Sequence, residues 1–462
     1  MKGLEASIAS VQSFTNDLRI DAQFFRKAYL SEDQALHQHN LVAIGNFAFV
    51  TDGPHGYHEV DEQSPIAMLT AKCAANWFAD RKNADTIAKW VDDTNKRSSL
   101  VVDDIILSTR GTVGKCALVT EEALPANLDQ DVARIALNDD APFCPAFLIA
   151  YLNCRFGQDH IERHSSGMVQ QGLSLAKVRA IPVPELSQAV QMRIADTVQS
   201  ALDRRREVAQ KQTLAEETLL AALGLADWTP PEPLSYSARA SDAFAAGRLD
   251  ARFFAPRIQA LLDILGRDGR SLGDLARPRR QKFRPQDCAN FNYIEIGDID
   301  DAGAATSTPL PCDEAPSRAT WHVRPGDIIT STVRPIRRLS AQIAPEQDGY
   351  VASSGFVVID PCQAAPELLL TFLRLPVICE LLDLYGSASM YPAITDAHIF
   401  GLPFPQIDAA VETQIVANIR DARKAKAQAA QLLEAAKRAV EIAIEDGESA
   451  ALDCLDSLKE TS

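Results

Sequence analysis

The sequence predicts an α+β fold: two mixed α/β domains in a pseudo-two-fold repeat, joined by two long antiparallel helices that form a coiled-coil spacer. Three observations lead to this prediction, namely the chain length, an internal repeat and two stretches with heptad spacing. At 462 residues the chain exceeds what one hydrophobic core usually supports, so two globular domains are expected. Hydrophobic residues make up 46% of the chain and charged residues 23%, which is ordinary for a globular protein.

The two halves of the chain match each other at a separation of about 220 to 230 residues. The matching pairs are RIDAQFF (19–25) with RLDARFF (248–254), DDIILST (103–109) with GDIITST (326–332), and PAFLIAYL (145–152) with PELLLTFL (366–373). The first pair opens each half, the second indicates a turn and a buried β-strand, and the third indicates a helix that begins at a proline. The shared order of elements predicts two domains of similar fold.

Each half ends on a Pro-x-Pro string, at 182–184 and 403–405, which disfavours helix and central strand and therefore predicts a connector. A proline-free, alanine-rich stretch follows each connector, at 187–223 and 408–446. Apolar residues recur there every seven positions: Ile194, Ala201, Val208, Ala215 and Ala222 in the first, and Ile415, Ala422, Ala429, Ala436 and Ala443 in the second. Each helix could pack on its own domain. We favour packing of the helices on each other, because both stretches share one register.

These signals divide the chain into five segments. They are a first domain (1–185), a central helix (186–226), a second domain (227–405), a C-terminal helix (406–446) and an acidic tail (447–462).

The composition also indicates where the protein works. Residues 1–14 lack the basic start and apolar core of a signal peptide, and no window approaches 18 apolar residues, so a cytoplasmic protein without membrane contact is expected. The nine cysteines include no C-x-x-C pair and are expected to be reduced packing residues. A net charge of −16 opposes non-specific coating of nucleic acid, so any DNA site must use local basic clusters such as 277–284 and 334–338.

Common catalytic motifs are missing from the sequence. There is no N-P-P-[YF] string for methylation of a base amino group, no G-x-G triplet and no Glu-x-Lys of a nuclease. Residues 110–115 differ from a phosphate loop, because Thr109 replaces its first glycine and Cys116 its last hydroxyl residue. The pairs His55 with His58 and His160 with His164 lack further metal ligands at useful spacing. No catalytic residue and no metal site is predicted.

Several strings occur in a characteristic order. They are TDGPHGYH (51–58), PIAMLTAK (65–72), DDIILSTRGTVGK (103–115) and NLDQDVARI (127–135) in the first half, and YIEIGDID (293–300), GDIITSTVRP (326–335) and ASSGFVVI (352–359) in the second. Each string alone is weak, but the ordered set resembles the specificity subunits of type I restriction–modification enzymes over nearly the whole chain.

The resemblance implies two target-recognition domains in inverted orientation, joined by antiparallel helices that also dock methyltransferase (M) subunits, of which two are expected. It further implies that S-adenosylmethionine binds the M subunits, and that restriction (R) subunits, with ATP and Mg²⁺ on the partner subunits, cut unmodified double-stranded DNA. This chain would then supply recognition alone and hold no cofactor. The string TDGPH has no close copy in the second half, so the two domains are expected to read different half-sites.

Residue chemistry selects the DNA-binding candidates. Base edges require forked or amide side chains, and the candidates are Arg110, Gln170, Gln171, Arg334, Arg337 and Arg338. Phosphates suit a second group: Lys72, Lys115, Lys282, Arg284, Ser165, Ser166, Ser387 and Ser389. His55 is expected either to contact DNA or to be structural, and Tyr391 either to stack or to pack. The alternative for each of these residues is an ordinary solvated surface group.

Two other functions stay open on the sequence. One is the recognition subunit of a two-part restriction enzyme whose partner both methylates and cuts. The other is a scaffold that binds proteins and not DNA, which would not need two recognition-like domains with arginine-rich loops.

Overall fold

The computed structural model describes residues 22, 24–56, 58–82, 84–165, 172–230, 232–386 and 393–460. The first half contains α1 (Lys27–Leu36), β1 (Leu41–Ala43), β2 (Ala48–Asp52), β3 (Ala67–Leu69), β4 (Asp85–Thr86), α2 (Lys89–Thr94), β5 (Ile105–Ser108), β6 (Cys116–Leu118), β7 (Ala126–Leu128), β8 (Val132–Leu137), α3 (Pro145–Asn153), α4 (Arg155–His164), α5 (Leu175–Arg179), β9 (Pro182–Pro184) and α6 (Gln188–Leu223).

The second half contains α7 (Ala240–Ala246), α8 (Pro256–Leu265), β10 (Ala276–Pro278), β11 (Asn290–Ile294), β12 (Thr308–Pro311), β13 (Ala319–His322), β14 (Ile328–Ser331), β15 (Ser340–Gln342), β16 (Val351–Ser353), β17 (Phe356–Pro361), α9 (Pro366–Arg374), α10 (Pro376–Leu384), α11 (Asp396–Phe400), α12 (Ala409–Glu445) and α13 (Glu448–Glu460). The mixed α/β class expected from the sequence is confirmed.

The chain folds as two units, residues 1–205 with 426–462 (unit 1) and residues 206–425 (unit 2). Each of the long helices α6 and α12 contributes one half of its length to each unit. The five predicted segment boundaries stay predictions.

The two units share the strand order of one four-stranded sheet and have a second sheet of three strands in unit 1 and four in unit 2. In unit 1 the larger sheet has the order β2-β8-β5-β6, and a second sheet has the order β4-β3-β7. In unit 2 the corresponding orders are β10-β17-β14-β15 and β12-β11-β16-β13. The first sheet of each unit is antiparallel throughout, and the second contains one parallel pair, β3 with β7 or β11 with β16. The repeated strings at 103–109 and 326–332 therefore form equivalent strands, although the pseudo-two-fold placement of the units stays a prediction.

The repeated apolar strings build the two cores. Residues 105–108 are all buried, and they lie in one sheet of unit 1 whose apolar side chains pack with those of α3. In α3 every residue from 147 to 152 is buried. In unit 2 the equivalent strand, residues 328–331, is also buried, and Ile328 belongs to one cluster with Leu369 and Phe372 of α9. Each unit thus has a core of helix packed on sheet.

Both long helices contribute apolar residues to the core of each unit. In unit 1, Ile194 of α6 and Val440 of α12 belong to one core cluster. In unit 2, Leu219 of α6 and Ile415 of α12 belong to another cluster. The start of one helix and the end of the other therefore lie in the same unit. The heptad positions Ala201, Ala436 and Ala443 are fully buried. Each helix thus packs into the cores of both units, whereas packing of the helices on each other as a coiled-coil spacer stays a prediction.

Two polar residues interrupt the apolar seam at the centre of α6. Each donates a hydrogen bond to a backbone carbonyl of its own unit. The Nη1 of Arg205 donates to the carbonyl of Phe78 at 3.5 Å within unit 1. The Nε2 of Gln212 donates to the carbonyl of Ala302 at 3.2 Å within unit 2. These bonds satisfy polar groups that the apolar seam alone would leave without partners.

The expectation that all cysteines are reduced is wrong for one pair. Cys288 and Cys312 form a disulfide. Strands β11 and β12 pair antiparallel with Asn290 opposite Pro311, which brings the flanking cysteines together across 24 residues of sequence. Strand pairing, which the cysteine spacing does not reveal, creates this contact. Cys73, Cys116, Cys154 and Cys379 are buried thiols.

In the part of the chain that the structure describes, no helix is both long and apolar enough to cross a membrane.

The aspartate of each repeated string forms a buried ion pair. Asp104 accepts hydrogen bonds from the Nε and Nη2 of Arg134 at 2.8 and 3.1 Å. Asp327 accepts one from the Nε of Arg279 at 2.6 Å, and burial raises the pKa of both aspartates. Each carboxylate also accepts a backbone N–H three residues earlier in the chain.

Substitution of either aspartate by asparagine should lower the free energy of unfolding, because a guanidinium then lies in a dry environment without its counter-ion. We expect a loss of about 3 kcal/mol for Asp104→Asn. The loss for Asp327→Asn should be smaller, because the guanidinium of Arg279 would still have a second counter-ion, the carboxylate of Asp360 at 3.1 Å. Urea denaturation of both variants checks this order, and equal losses would contradict it.

A buried carboxyl in unit 1 makes stability depend on pH. Burial, followed by a hydrogen bond to Asp159, raises the pKa of Glu32 from 4.5 to about 8. The folded state therefore binds a proton that the unfolded state releases, so this stabilisation is complete below pH 4.5 and is lost as pH rises through about 8.

We expect Glu32→Gln to be more stable than wild type by about 1 kcal/mol above pH 8, with the difference vanishing toward pH 5. Denaturation midpoints measured across this range check the trend. The exposed Glu59 supplies a matched control, since Glu59→Gln removes the same charge at the surface and should change stability by less than about 0.5 kcal/mol.

Candidate nucleic-acid interface

Loops of unit 1 gather at one edge of its two sheets. Strands β2 and β5 both pair antiparallel with β8, so their carboxyl ends lie together where β8 begins. The N–H of Gly53 donates to the carbonyl of Asp129 at 3.2 Å, and the N–H of Asp129 donates to the carbonyl of Leu69 at 3.1 Å. We call this set edge 1: residues 53–56, 70–72, 109–115 and 129–131.

Unit 2 has the equivalent edge. Strands β10 and β14 end where β17 begins, and the parallel strands β11 and β16 end beside them. The N–H of Ser354, in the turn between β16 and β17, donates to the carbonyl of Arg318 at 2.7 Å. We call this set edge 2: residues 282–284, 295–298, 318, 332–339 and 354–355.

One threonine anchors each edge in the same way. The N–H and Oγ1 of Thr109 both donate to the carbonyl of Asp131, at 2.8 and 3.0 Å. The same two groups of Thr332 donate to the carbonyl of Gly355 at 2.8 and 3.0 Å. The carbonyl of Thr109 accepts a hydrogen bond from the N–H of Leu173 at 2.8 Å. The carbonyl of Thr332 likewise accepts a hydrogen bond from a backbone N–H at 2.9 Å. The repeated Ser-Thr string therefore fixes the start of each loop.

Four sequence candidates lie on edge 1. Arg110 is exposed, its backbone pairs with Gly172, and its Nη1 lies 3.4 Å from the Oδ1 of Asp131. Lys115 and Lys72 are exposed. His55 is exposed, and its Nε2 lies 3.2 Å from the Oδ2 of an aspartate at position 52. Edge 1 thus combines cationic side chains with acidic neighbours.

The histidines of both pairs make other contacts in the structure. The rings of His160 and His164 stack at 4.1 Å within α4, and burial lowers the pKa of both. The Nε2 of His58 lies 3.2 Å from the carbonyl of Pro54, and burial raises the pKa of the neighbouring Asp129 to about 6. Among the described residues, no three His, Cys, Asp or Glu side chains are grouped so that they could hold a metal ion.

Edge 2 carries a basic loop between β14 and β15. Arg334 and Arg337 are exposed, whereas Pro335 is buried. Arg338 pairs with Glu216 of α6, so this candidate is engaged in the packing of its own unit. Lys282 and Arg284 are exposed beside β13, to which the backbone of Lys282 is paired.

Two arginines of this loop adopt a backbone conformation that favours glycine. Arg334 has φ of +50° and Arg338 has φ of +60°. In the equivalent loop of unit 1, glycines 111 and 114 occupy these places with φ of +72° and +91°. A left-handed conformation costs a non-glycine residue roughly 1 kcal/mol.

This comparison predicts that Arg334→Gly will be more stable than Arg334→Ala by about 1 kcal/mol. Both variants lose the same side-chain contacts, so the difference isolates the backbone. Thermal or urea denaturation of the two variants checks it, and equal stability would show that position 334 is not held in the left-handed region.

Not every DNA-binding candidate lies in the described part of the chain. Ser166, Gln170, Gln171, Ser387, Ser389 and Tyr391 lie outside the described residues. Ser165 ends α4, and its hydroxyl donates to the carbonyl of Ile161 at 2.7 Å. DNA contact by any of the sixteen candidates stays a prediction.

Two exposed arginines, one beside edge 1 and one in edge 2, were not among the sequence candidates. Arg97 lies 3.6 Å from Asp52 at the end of β2, and its side chain is exposed. Arg318 is exposed, and its backbone carbonyl accepts the hydrogen bond from Ser354 N–H in edge 2. Neither lies in a repeated string, so only the tertiary fold reveals them.

Comparisons with known proteins were made on sequence and on fold. No protein-family model matches the chain, and no curated protein matches it. The fold is similar to a type I restriction–modification S subunit from M. genitalium, with TM-score 0.39, 12% identity, and 88% of this chain and 96% of that chain covered. It is also similar to the HsdS subunit from Thermoanaerobacter tengcongensis, with TM-score 0.28, 16% identity, and coverage of 88% and 97%.

A third similar chain belongs to a structure of type I R-M system assembly and conformational transition. Its TM-score is 0.26 and its identity 17%, with 90% of this chain and 96% of that chain covered. At these values the functional argument depends on the residues of this chain.

Proposed function

We propose that the chain is the sequence-specific DNA-recognition subunit of a type I restriction–modification enzyme. Each unit reads one half of a bipartite target in double-stranded DNA, edge 1 one half and edge 2 the other. Methylation and cleavage belong to M and R subunits, which bind S-adenosylmethionine, ATP and Mg²⁺, and this chain has no catalytic role.

One observation carries the proposal: two units of the same strand order present equivalent loops, both fixed by a doubly bonded threonine. Arg110 and Lys115 follow that threonine in unit 1, and Arg334 and Arg337 follow it in unit 2. Exposed arginines on rigid loops suit base edges, because a fixed guanidinium can bind O6 and N7 of guanine together.

The net charge of −16 restricts how such a protein binds DNA. A protein of this charge repels the duplex except where basic side chains face it, so contact is confined to the edges. Because contact is confined to the edges, binding to target sites is favoured over binding to random DNA. This confinement also predicts that binding weakens as salt rises, with a shallow slope set by the few phosphates contacted.

The proposal extends to the long helices. Parts of α6 and α12 remain exposed beside their buried seams, and those faces are proposed to dock the M subunits. Antiparallel pairing of the helices as a coiled coil would also fix the distance between the half-sites.

The test is a map of methylated adenines in the source cells with the gene present, deleted and restored. We expect one bipartite motif to lose methylation on deletion and to regain it with the wild-type gene. Restoration with Arg337→Glu should fail, and restoration with Arg239→Glu, an exposed arginine outside both edges, should succeed.

Two results would contradict the proposal. An unchanged methylation map after deletion would favour a scaffold that binds only proteins. Co-purification with a single partner that both methylates and cuts would favour the two-part restriction enzyme.

A further inference from the structure

Ile336 is an exposed aliphatic side chain at the centre of the basic loop of edge 2. Its relative exposure is 53%, and the exposed Arg337 follows it directly. A single exposed aliphatic residue is common on protein surfaces. Ile336 differs from such residues because it lies in a loop that is held in place and has basic neighbours.

The loop holds Ile336 in a fixed position. The N–H of Arg338 donates to the carbonyl of Pro335 at 3.0 Å, and the Nη1 of Arg374 donates to the carbonyl of Arg338 at 2.7 Å. Arg338 also pairs with Glu216, and Pro335 is buried. A side chain presented on such a loop loses little conformational entropy when a partner binds.

The sequence could have avoided the backbone strain of this loop. The equivalent loop of unit 1 has glycine at both left-handed positions, whereas this loop has Arg334 and Arg338. At position 338 the arginine offsets part of this conformational cost, because its side chain pairs with Glu216 of the same unit. This pairing holds the loop on unit 2, and Ile336 and Arg337 lie exposed between the two left-handed residues.

We propose that Ile336 packs on the 5-methyl group of a thymine in the major groove, beside a base edge bound by Arg337. This inference rests on the proposed function and names one base that unit 2 reads. In the major groove, apolar side chains contact the thymine methyl and arginine binds guanine, so neighbouring residues of one loop read neighbouring bases there.

The partial burial of Ile336 favours contact with a base edge over insertion between bases. Roughly half of its surface is covered by its own unit, so its free surface is small. Wedge residues that kink DNA insert between base steps and unstack them. Ile336 is positioned to touch a methyl group that projects from the groove.

The experiment compares thymine with deoxyuridine, which lacks only the 5-methyl group. The duplex preferred by the purified full chain is first selected from a random pool, and each thymine is then replaced singly. For wild type we expect one position in the half read by unit 2 where the replacement weakens binding about four-fold, the effect of one buried methyl.

At that position Ile336→Ala should bind the two duplexes equally, and Ile336→Val should show intermediate discrimination. Leu249→Ala is the control, because Leu249 is an exposed aliphatic residue of unit 2 outside edge 2 and should leave the four-fold effect intact. The thermal midpoint of each variant verifies that it is folded.

Other outcomes overturn the inference. They are the absence of any methyl-dependent position for wild type, discrimination retained by Ile336→Ala, or a rise in 2-aminopurine fluorescence at the contacted step, which would indicate insertion. A chain that enriches no duplex at all would overturn the proposed function as well, so the two failures are distinguishable.

Discussion

Ala436→Asp is expected to lower the free energy of unfolding by more than about 4 kcal/mol, enough to unfold unit 1. Ala436 is fully buried in the cluster that joins α6 to α12 in unit 1. A carboxylate there would have neither water nor a cation to stabilise it, and the surrounding side chains leave no room for it.

Ala430→Asp is the matched control, because Ala430 lies on the same helix and is exposed. We expect its effect to stay within about 0.5 kcal/mol. Circular dichroism during urea denaturation measures both variants. Similar stability of the two would show that α12 does not pack in unit 1 as described.

Arg337→Glu is expected to weaken binding of the target duplex at least about 100-fold. The substitution removes a forked donor and places a negative charge against the DNA, and one bidentate contact alone contributes about 1–3 kcal/mol. The fold should be unaffected, because Arg337 is exposed at the loop surface.

Fluorescence anisotropy with the selected duplex measures this effect. Arg239→Glu changes the net charge equally and lies outside both edges, so its affinity should change less than about three-fold. Equal losses for the two variants would mean that the chain responds only to net charge.

The repeated strings allowed the sequence to predict the strands at the centre of each unit. A run of apolar residues such as 105–108 is buried on both faces, and such a run indicates a strand without knowledge of its partners. The proline-started helices were predicted for a similar local reason. The role of Thr109 was not predictable, because its double hydrogen bond depends on Asp131, which is distant in sequence.

The candidate site was harder to predict than the fold. Sequence chemistry selected Arg334, Arg337 and Arg338 as equivalent candidates, yet the fold pairs Arg338 with Glu216 and strains the backbone of Arg334. Arg97 was missed because only the tertiary fold brings it close to Asp52 at the end of β2, beside edge 1. The disulfide was missed for the same reason.

The most direct measurement of the central claim is the set of duplexes that the full chain enriches from a random-sequence pool. For wild type we predict two short sequence blocks separated by a fixed, unread gap. Arg110→Ala should degrade one block and Arg337→Ala only the other, because each edge makes its own base contacts. A single block, or loss of both blocks in either variant, would contradict the account.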